Sequence, residues 1–201
     1  MSVDQTPPTE PRHKLMTLAL AATGAATAGL LAVVFSSLPP AAQPWNLSVI
    51  GALGLFAAAR IGFWPAFAFV AFAIGLKDTA VYLLRDMEPY PLSYLYFAGY
   101  AAIGWLLLRR TESPARIGFT AFGTSVLFFL VSNFVSWLEQ AYPYGYSLAG
   151  LLDCYRAAIP FYRGTFAGDM LFTGVLFGAH AALSRAYCPA ERVAAVVEER
   201  T

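Results

Sequence analysis

The chain has 201 residues, of which 58% are hydrophobic and only 12% charged, with a formal net charge of +1. Soluble domains carry about 25% charged residues, so a secreted disulfide scaffold, a nucleic-acid binder with a basic face and a soluble metalloenzyme are excluded. Three stretches lack Asp, Glu, Lys and Arg altogether: Leu15 to Ala59, Pro89 to Leu108 and Ile117 to Leu138. Each reaches the roughly 18 apolar residues that mark a transmembrane helix. An all-α polytopic membrane protein is predicted, with six transmembrane helices.

Residues 1–14, with Pro7, Pro8 and Pro11, read as a disordered cytoplasmic tail, and residues 15–186 as the membrane domain. The first span runs from about Leu15 to Leu38. It is longer than the roughly 7 to 15 residues of a signal-peptide core, and no small-x-small cleavage site follows it, so it is expected to be retained. Its middle carries Ala21, Ala22, Ala25 and Gly29 at helical spacing. Such small residues let another backbone approach closely, which serves packing within the bundle and docking of a partner subunit equally well.

From Leu47 to Leu76 the only charge is Arg60, followed by Gly62 and Pro65. A single helix there would outrun the hydrocarbon core of about 30 Å. Two spans joined by a tight turn fit better, Leu47 to Ala59 and Pro65 to Leu84. The first is short, so it must tilt, be extended by irregular backbone, or insert only partly. Span four is about Pro91 to Leu108, and span five Ile117 to Leu138. Leu148, Leu151, Leu152, Tyr155 and Ile159 then form one helical stripe before Pro160, predicting a short interfacial or re-entrant helix. Span six is Thr165 to Ala186, and residues 187–201 form a charged cytoplasmic tail. With both termini inside, nine basic residues fall on the cytoplasmic side and four (Lys77, Arg85, Arg156, Arg163) on the outer half, the bias expected of a bacterial cytoplasmic membrane protein.

Ionisable groups at membrane depth are costly and point to function. Here they gather at the outer end: Asn46 and Ser48, Lys77 and Asp78, Asn133 and Trp137 one turn apart, Asp153, Tyr155 and Arg156, then Arg163, Thr165 and Asp169. Amide and charged groups of this kind orient a polar ligand, with Trp137, Tyr82 and Tyr155 stacking on it. Lys77–Asp78 and Arg163–Asp169 serve equally as structural ion pairs near the headgroups. Cys154 and Cys188 fall on opposite sides of the bilayer and are not expected to pair. No nucleotide-binding loop, HExxH or GxSxG motif is present, and His13 and His180 stand alone in tail and span. No catalytic set converges, so no enzyme activity, cofactor or metal is expected.

Asn46 to Phe56 (NLSVIGALGLF), Ser132 to Leu138 (SNFVSWL), Tyr142-Pro143 and Leu148 to Asp169 (LAGLLDCYRAAIPFYRGTFAGD) resemble an uncharacterised bacterial family of transport proteins. That family is itself similar to the substrate-binding S components of energy-coupling factor (ECF) transporters. The resemblance spans roughly Asn46 to Ala182. It implies six helices whose outer loops close over a vitamin-like molecule, and Asn46, Asp78, Asn133, Trp137, Tyr155, Arg163 and Asp169 as ligand or pocket residues. It also implies uptake driven by a transmembrane coupling protein with a pair of cytoplasmic ATPases, docked through the small residues of the first helix. Members commonly have Pro where this chain has Val49, Gly-Gly where it has Ala57-Ala58, and Ser where it has Lys77, a charge able to alter ligand preference. Two other readings stand beside this one: an accessory subunit of a larger membrane complex, and a proton-coupled carrier using Asp78, Asp169 or His180.

Overall fold

The computed structural model describes residues 10–39, 42, 46–140 and 143–187. Six α-helices account for nearly all of them, and no strand occurs among the described residues: α1 (Glu10–Ser37), α2 (Ile50–Ile61), α3 (Phe63–Arg85), α4 (Leu92–Leu108), α5 (Pro114–Leu138) and α6 (Leu148–Tyr187). Four helices are long and apolar enough to cross a membrane: Arg12–Ser37 within α1, Phe63–Arg85, Pro114–Leu138 and Leu148–Tyr187. The other two, α2 and α4, are apolar but shorter, at 12 and 17 residues. Six full spans thus become four long helices and two short ones.

Two expectations change. Helix α1 begins at Glu10, so residues 10–14 belong to it rather than to a tail. There Thr17 donates its hydroxyl proton to the His13 carbonyl (2.9 Å), and the His13 ring meets His180 edge-on, with centroids 5.1 Å apart. The two histidines are therefore partners, not isolated residues. Second, the interfacial or re-entrant helix before span six does not stand apart. It is the first part of α6, which runs unbroken for 40 residues through Pro160. Proline removes one N–H and disturbs one turn, but α5 braces α6 on both sides of it. Tyr155 donates to the Leu130 carbonyl (2.8 Å), and the Tyr162 ring lies 4.6 Å from that of Phe129. The remainder of the expected tails, residues 1–9 and 188–201, together with Cys188 and Tyr142, lies outside the described residues.

Helix α2 is the axis of the molecule. Every residue from Ile50 to Ala59 is buried, matching a helix apolar on all sides. Small residues set its neighbours' distance: a side chain at Gly104 of α4 would strike the Leu55 backbone, and one at Gly168 of α6 would strike that of Ser48. Ala21, Ala25, Ala28 and Ala32 form the buried stripe of α1. Gly24 faces Leu53 and Gly29 faces Leu76, so α1 packs on α2 and α3. The turn between α2 and α3 pivots on Gly62 (φ 97°), a conformation open to glycine. Asp86 closes α3 in the left-handed region (φ 54°) and returns its N–H to the Tyr82 carbonyl. Ser113 caps α5, with Pro114 in the first turn.

The register places α2 unusually. Ile50 lines the same space as Ala28 of α1. Ala28 lies nine residues before Ser37, so α2 starts about 13 Å below the end of its neighbour. The space left above it is the site.

Candidate functional site

A cavity of about 670 Å³ opens above the first turn of α2, enclosed by α1, α3, α4, α5 and α6. Small-molecule sites fall in the range of roughly 300–1,000 Å³. Its floor is built from Ser48, Ile50, Gly51 and Asp169. Ser48 accepts the Ile50 N–H through its hydroxyl (3.1 Å), satisfying one free amide of the helix start. Gly51 is bare because the Asp169 carboxylate and the Tyr100 ring occupy the place a side chain would take. Asp169 is 2% exposed, and its Oδ2 accepts from the Tyr100 hydroxyl at 2.7 Å. Fully buried Ser125 of α5 adjoins this pair.

The walls divide by chemistry. Ala28, Leu31 and Ala32 of α1 form an apolar side. Opposite stand aromatic rings, with Phe97 stacked on Phe128 (5.6 Å between centroids, 24°) and Tyr96 edge-on to Phe128 (5.8 Å). Ser93, Ser132, Ser136 and Thr165 add hydroxyl-bearing side chains to the lining. Ser93 is buried, and its Oγ has no hydrogen-bond partner among the described residues. Buried hydroxyls are nearly always paired, so this one is free for a molecule in the cavity.

Two cations reach the cavity from α3, and both are engaged. Lys77 Nζ lies 2.7 Å from Asp78 Oδ1. Arg85 donates from Nε and Nη2 to the Ser36 carbonyl (3.0 and 2.9 Å), and from Nη2 to that of Leu38 (2.8 Å). It thereby caps the C-terminus of α1, where unpaired carbonyls and the helix dipole favour a cation.

The residues singled out in the sequence separate into three groups. Asn46, Lys77 and Asp169 line the cavity, and Asp78 stands behind as the partner of Lys77. Asn133, Trp137 and Tyr155 instead hydrogen-bond to backbone carbonyls. Asn133 Nδ2 donates to Phe129 (2.8 Å), Trp137 Nε1 to Gly145 (2.9 Å) and Tyr155 to Leu130. Trp137 and Tyr155 thus tie α5 to the turn and helix that follow it, Asn133 bonds within its own helix, and none of the three lines the cavity. Arg163 is exposed and forms no ion pair with Asp169, whereas Lys77–Asp78 and Arg156–Asp153 do pair. Tyr82 is also exposed.

The cavity face of α5 is Phe128, Ser132 and Ser136, one position ahead of Asn133 and Trp137. That single step turns a helix by about 100°. Serines at i and i+4 in an apolar helix are the signal of that face, outweighed in polarity by the amide and indole beside them. Tyr100 was missed because nothing in its charge-free surroundings marks it. Of the small residues of α1, Ala21 and Ala25 are buried inside the bundle, and a side chain at Gly29 would meet Leu76. Ala22, with Ala26 one turn on, looks outward.

At the opposite end, Arg60 holds the helices together. Its side chain is 8% exposed, donates from Nη1 and Nη2 to the carbonyls of Leu108 (3.4 Å) and Thr111 (3.1 Å), and pairs with Glu112 (3.1 Å). Its guanidinium also lies over the Phe177 ring, 5.0 Å from the centroid. No group of three or more His, Cys, Asp or Glu among the described residues could hold a metal ion.

These features define an all-helical protein, apolar enough to cross a membrane, with a polar-floored cavity opening at one end of the bundle. The chain belongs to DUF6580, a family of unknown function, whose match covers residues 10–194. No curated protein and no solved structure matches it.

Proposed function

We propose that this protein is a substrate-binding membrane subunit, similar to an ECF transporter S component, for uptake of a small vitamin-like or precursor molecule. The observation that supports the reading best is the cavity of about 670 Å³, with a buried carboxylate on its floor and an unpaired buried hydroxyl in its wall. The basic residues near the Arg60 end favour a cytoplasmic position for that end and for both termini, in a bacterial cytoplasmic membrane. The cavity then opens outward. In this reading the subunit performs no catalysis, binds the lipid bilayer and the ligand, and relies on a transmembrane coupling protein and cytoplasmic ATPases for energy. Such a partner would meet α1 on the face that carries Ala22 and Ala26, since Ala21, Ala25 and Gly29 are occupied within the bundle.

The test is to purify the protein in mild detergent, identify any retained small molecule by mass spectrometry, and follow thermal unfolding against vitamins and their precursors. A true ligand at about 100 times its Kd stabilises the fold by about 2.7 kcal/mol. An empty protein that no compound stabilises overturns the reading. Recovery in stoichiometric amounts with an unrelated complex lacking ATPases favours an accessory subunit instead. Uptake into proteoliposomes driven by a pH gradient alone favours a proton-coupled carrier.

A further inference from the structure

Asp169 is a carboxylate without a cation of its own. It is 2% exposed and lines the cavity, yet among the described residues it forms no ion pair, and Tyr100 offers it a neutral hydroxyl. The first turn of α2 contributes about half a positive charge at most. Lys77 is paired with Asp78, and Arg85 is held on the carbonyls of Ser36 and Leu38 at the mouth, where it remains half-exposed. The unmatched charge of the cavity is therefore negative and sits on its floor. A buried carboxylate is costly unless a donor or a cation meets it. Close by, Tyr96, Phe97 and Phe128 present aromatic rings to the same space. Rings of this kind attract flat cations through their negative faces.

The geometry points to a ligand whose inner end is a planar, N–H-rich organic cation, seated on Asp169 and flanked by these aromatic rings. This inference rests on the reading of the cavity as a ligand site and adds the chemical class of what it holds. The ligand's cation supplies the charge-assisted donor that the protein withholds, and Ser93 offers it an acceptor or donor from the wall.

Three probes of one shape and different charge test it: benzamidine (cation), benzamide (neutral) and benzoate (anion). Each is titrated against the full chain in detergent, with thermal unfolding as the readout. Benzamidine is expected to bind about tenfold more tightly than benzamide, or better, and benzoate not at all. In Asp169→Asn, which keeps an acceptor for Tyr100, the preference for benzamidine over benzamide is expected to fall to within about twofold. If that variant does not fold, the ranking of the three probes on the unaltered protein decides alone. Benzamide or benzoate binding as tightly as benzamidine overturns the inference while leaving the cavity a ligand site, as does a retained molecule without a cationic or N–H-rich end. Absence of binding by all three probes also overturns it. The site reading itself is then judged by the retained molecule and the vitamin panel.

Discussion

The Tyr100 hydroxyl donates to Asp169 Oδ2 across 2.7 Å, joining the middle of α4 to α6 beneath the cavity. Both residues are almost fully enclosed, and Gly51 of α2 is bare so that they can meet against it. Three helices converge on one hydrogen bond.

Removing that donor with Tyr100→Phe leaves a buried acceptor unpaired, which costs about 1–3 kcal/mol. For a chain of this size each kcal/mol corresponds to about 2–4 °C in Tm. Thermal unfolding in detergent is therefore expected to shift downward by several degrees, and an unchanged Tm would show that the bond contributes nothing.

The rotation of α5 yields a second expectation. Ser132→Trp or Ser136→Trp fills the cavity and is expected to lower the amount of retained small molecule about tenfold or more. Asn133→Ala removes only a bond to its own helix, so retention is expected to stay within about twofold of the parent. Quantitative mass spectrometry of the purified variants checks both, and loss of ligand in Asn133→Ala alone would return the site to the other face.

At the far end, Arg60 and Glu112 form one ion pair with unequal stakes. The Arg60 side chain is 8% exposed and that of Glu112 53% exposed. Truncating Arg60 to Ala removes the side-chain donor to the Thr111 carbonyl and one of two donors to that of Leu108, and is expected to destabilise by about 1–3 kcal/mol. Glu112→Ala removes a solvated partner and is expected to cost less than about 1 kcal/mol. Paired unfolding curves decide, and equal losses would contradict this ordering.

Tyr90, in the loop before α4, donates to Glu139 at 2.8 Å. Burial, then the hydroxyl of Tyr96 and the Glu139 carboxylate, push its pKa well above the usual tyrosine value. A pKa raised on folding means that the stabilising form is the protonated one. This contribution is complete below about pH 10 and is lost as the pH climbs beyond it. Above about pH 10 the parent protein is expected to lose Tm more steeply than Tyr90→Phe, and parallel curves would remove Tyr90 from the account.

Much of this architecture is written in the order of residues. The charge-free runs mark the helices, Gly62 after Arg60 marks the turn between α2 and α3, and Asp169 and Lys77 stand out as charges at depth. What composition does not carry is rotation and depth. Asn133 and Ser132 are one residue apart, and tertiary contacts of α5, among them Phe129 on Tyr162 and Phe128 on Phe97, settle which one faces the cavity. Pro160 signals a break by its own chemistry, yet the contacts from Tyr155 and Tyr162 to α5 override it. Arg60 marks a membrane boundary by its charge, whereas its burial comes from carbonyls some 50 positions away in the chain.

The short α2 has a consequence for how the protein is made. A 12-residue helix spans only about 18 Å and cannot hold itself across a bilayer. Enclosed on every side by other helices, it also gains nothing from lipid. Its place is fixed by neighbours, and the last of these to leave the ribosome is α6, which sets Gly168 on Ser48 and Phe177 against Phe56. Biogenesis of the cavity floor is thus completed by the C-terminal helix, and a chain halted before it would present α2 with one flank bare.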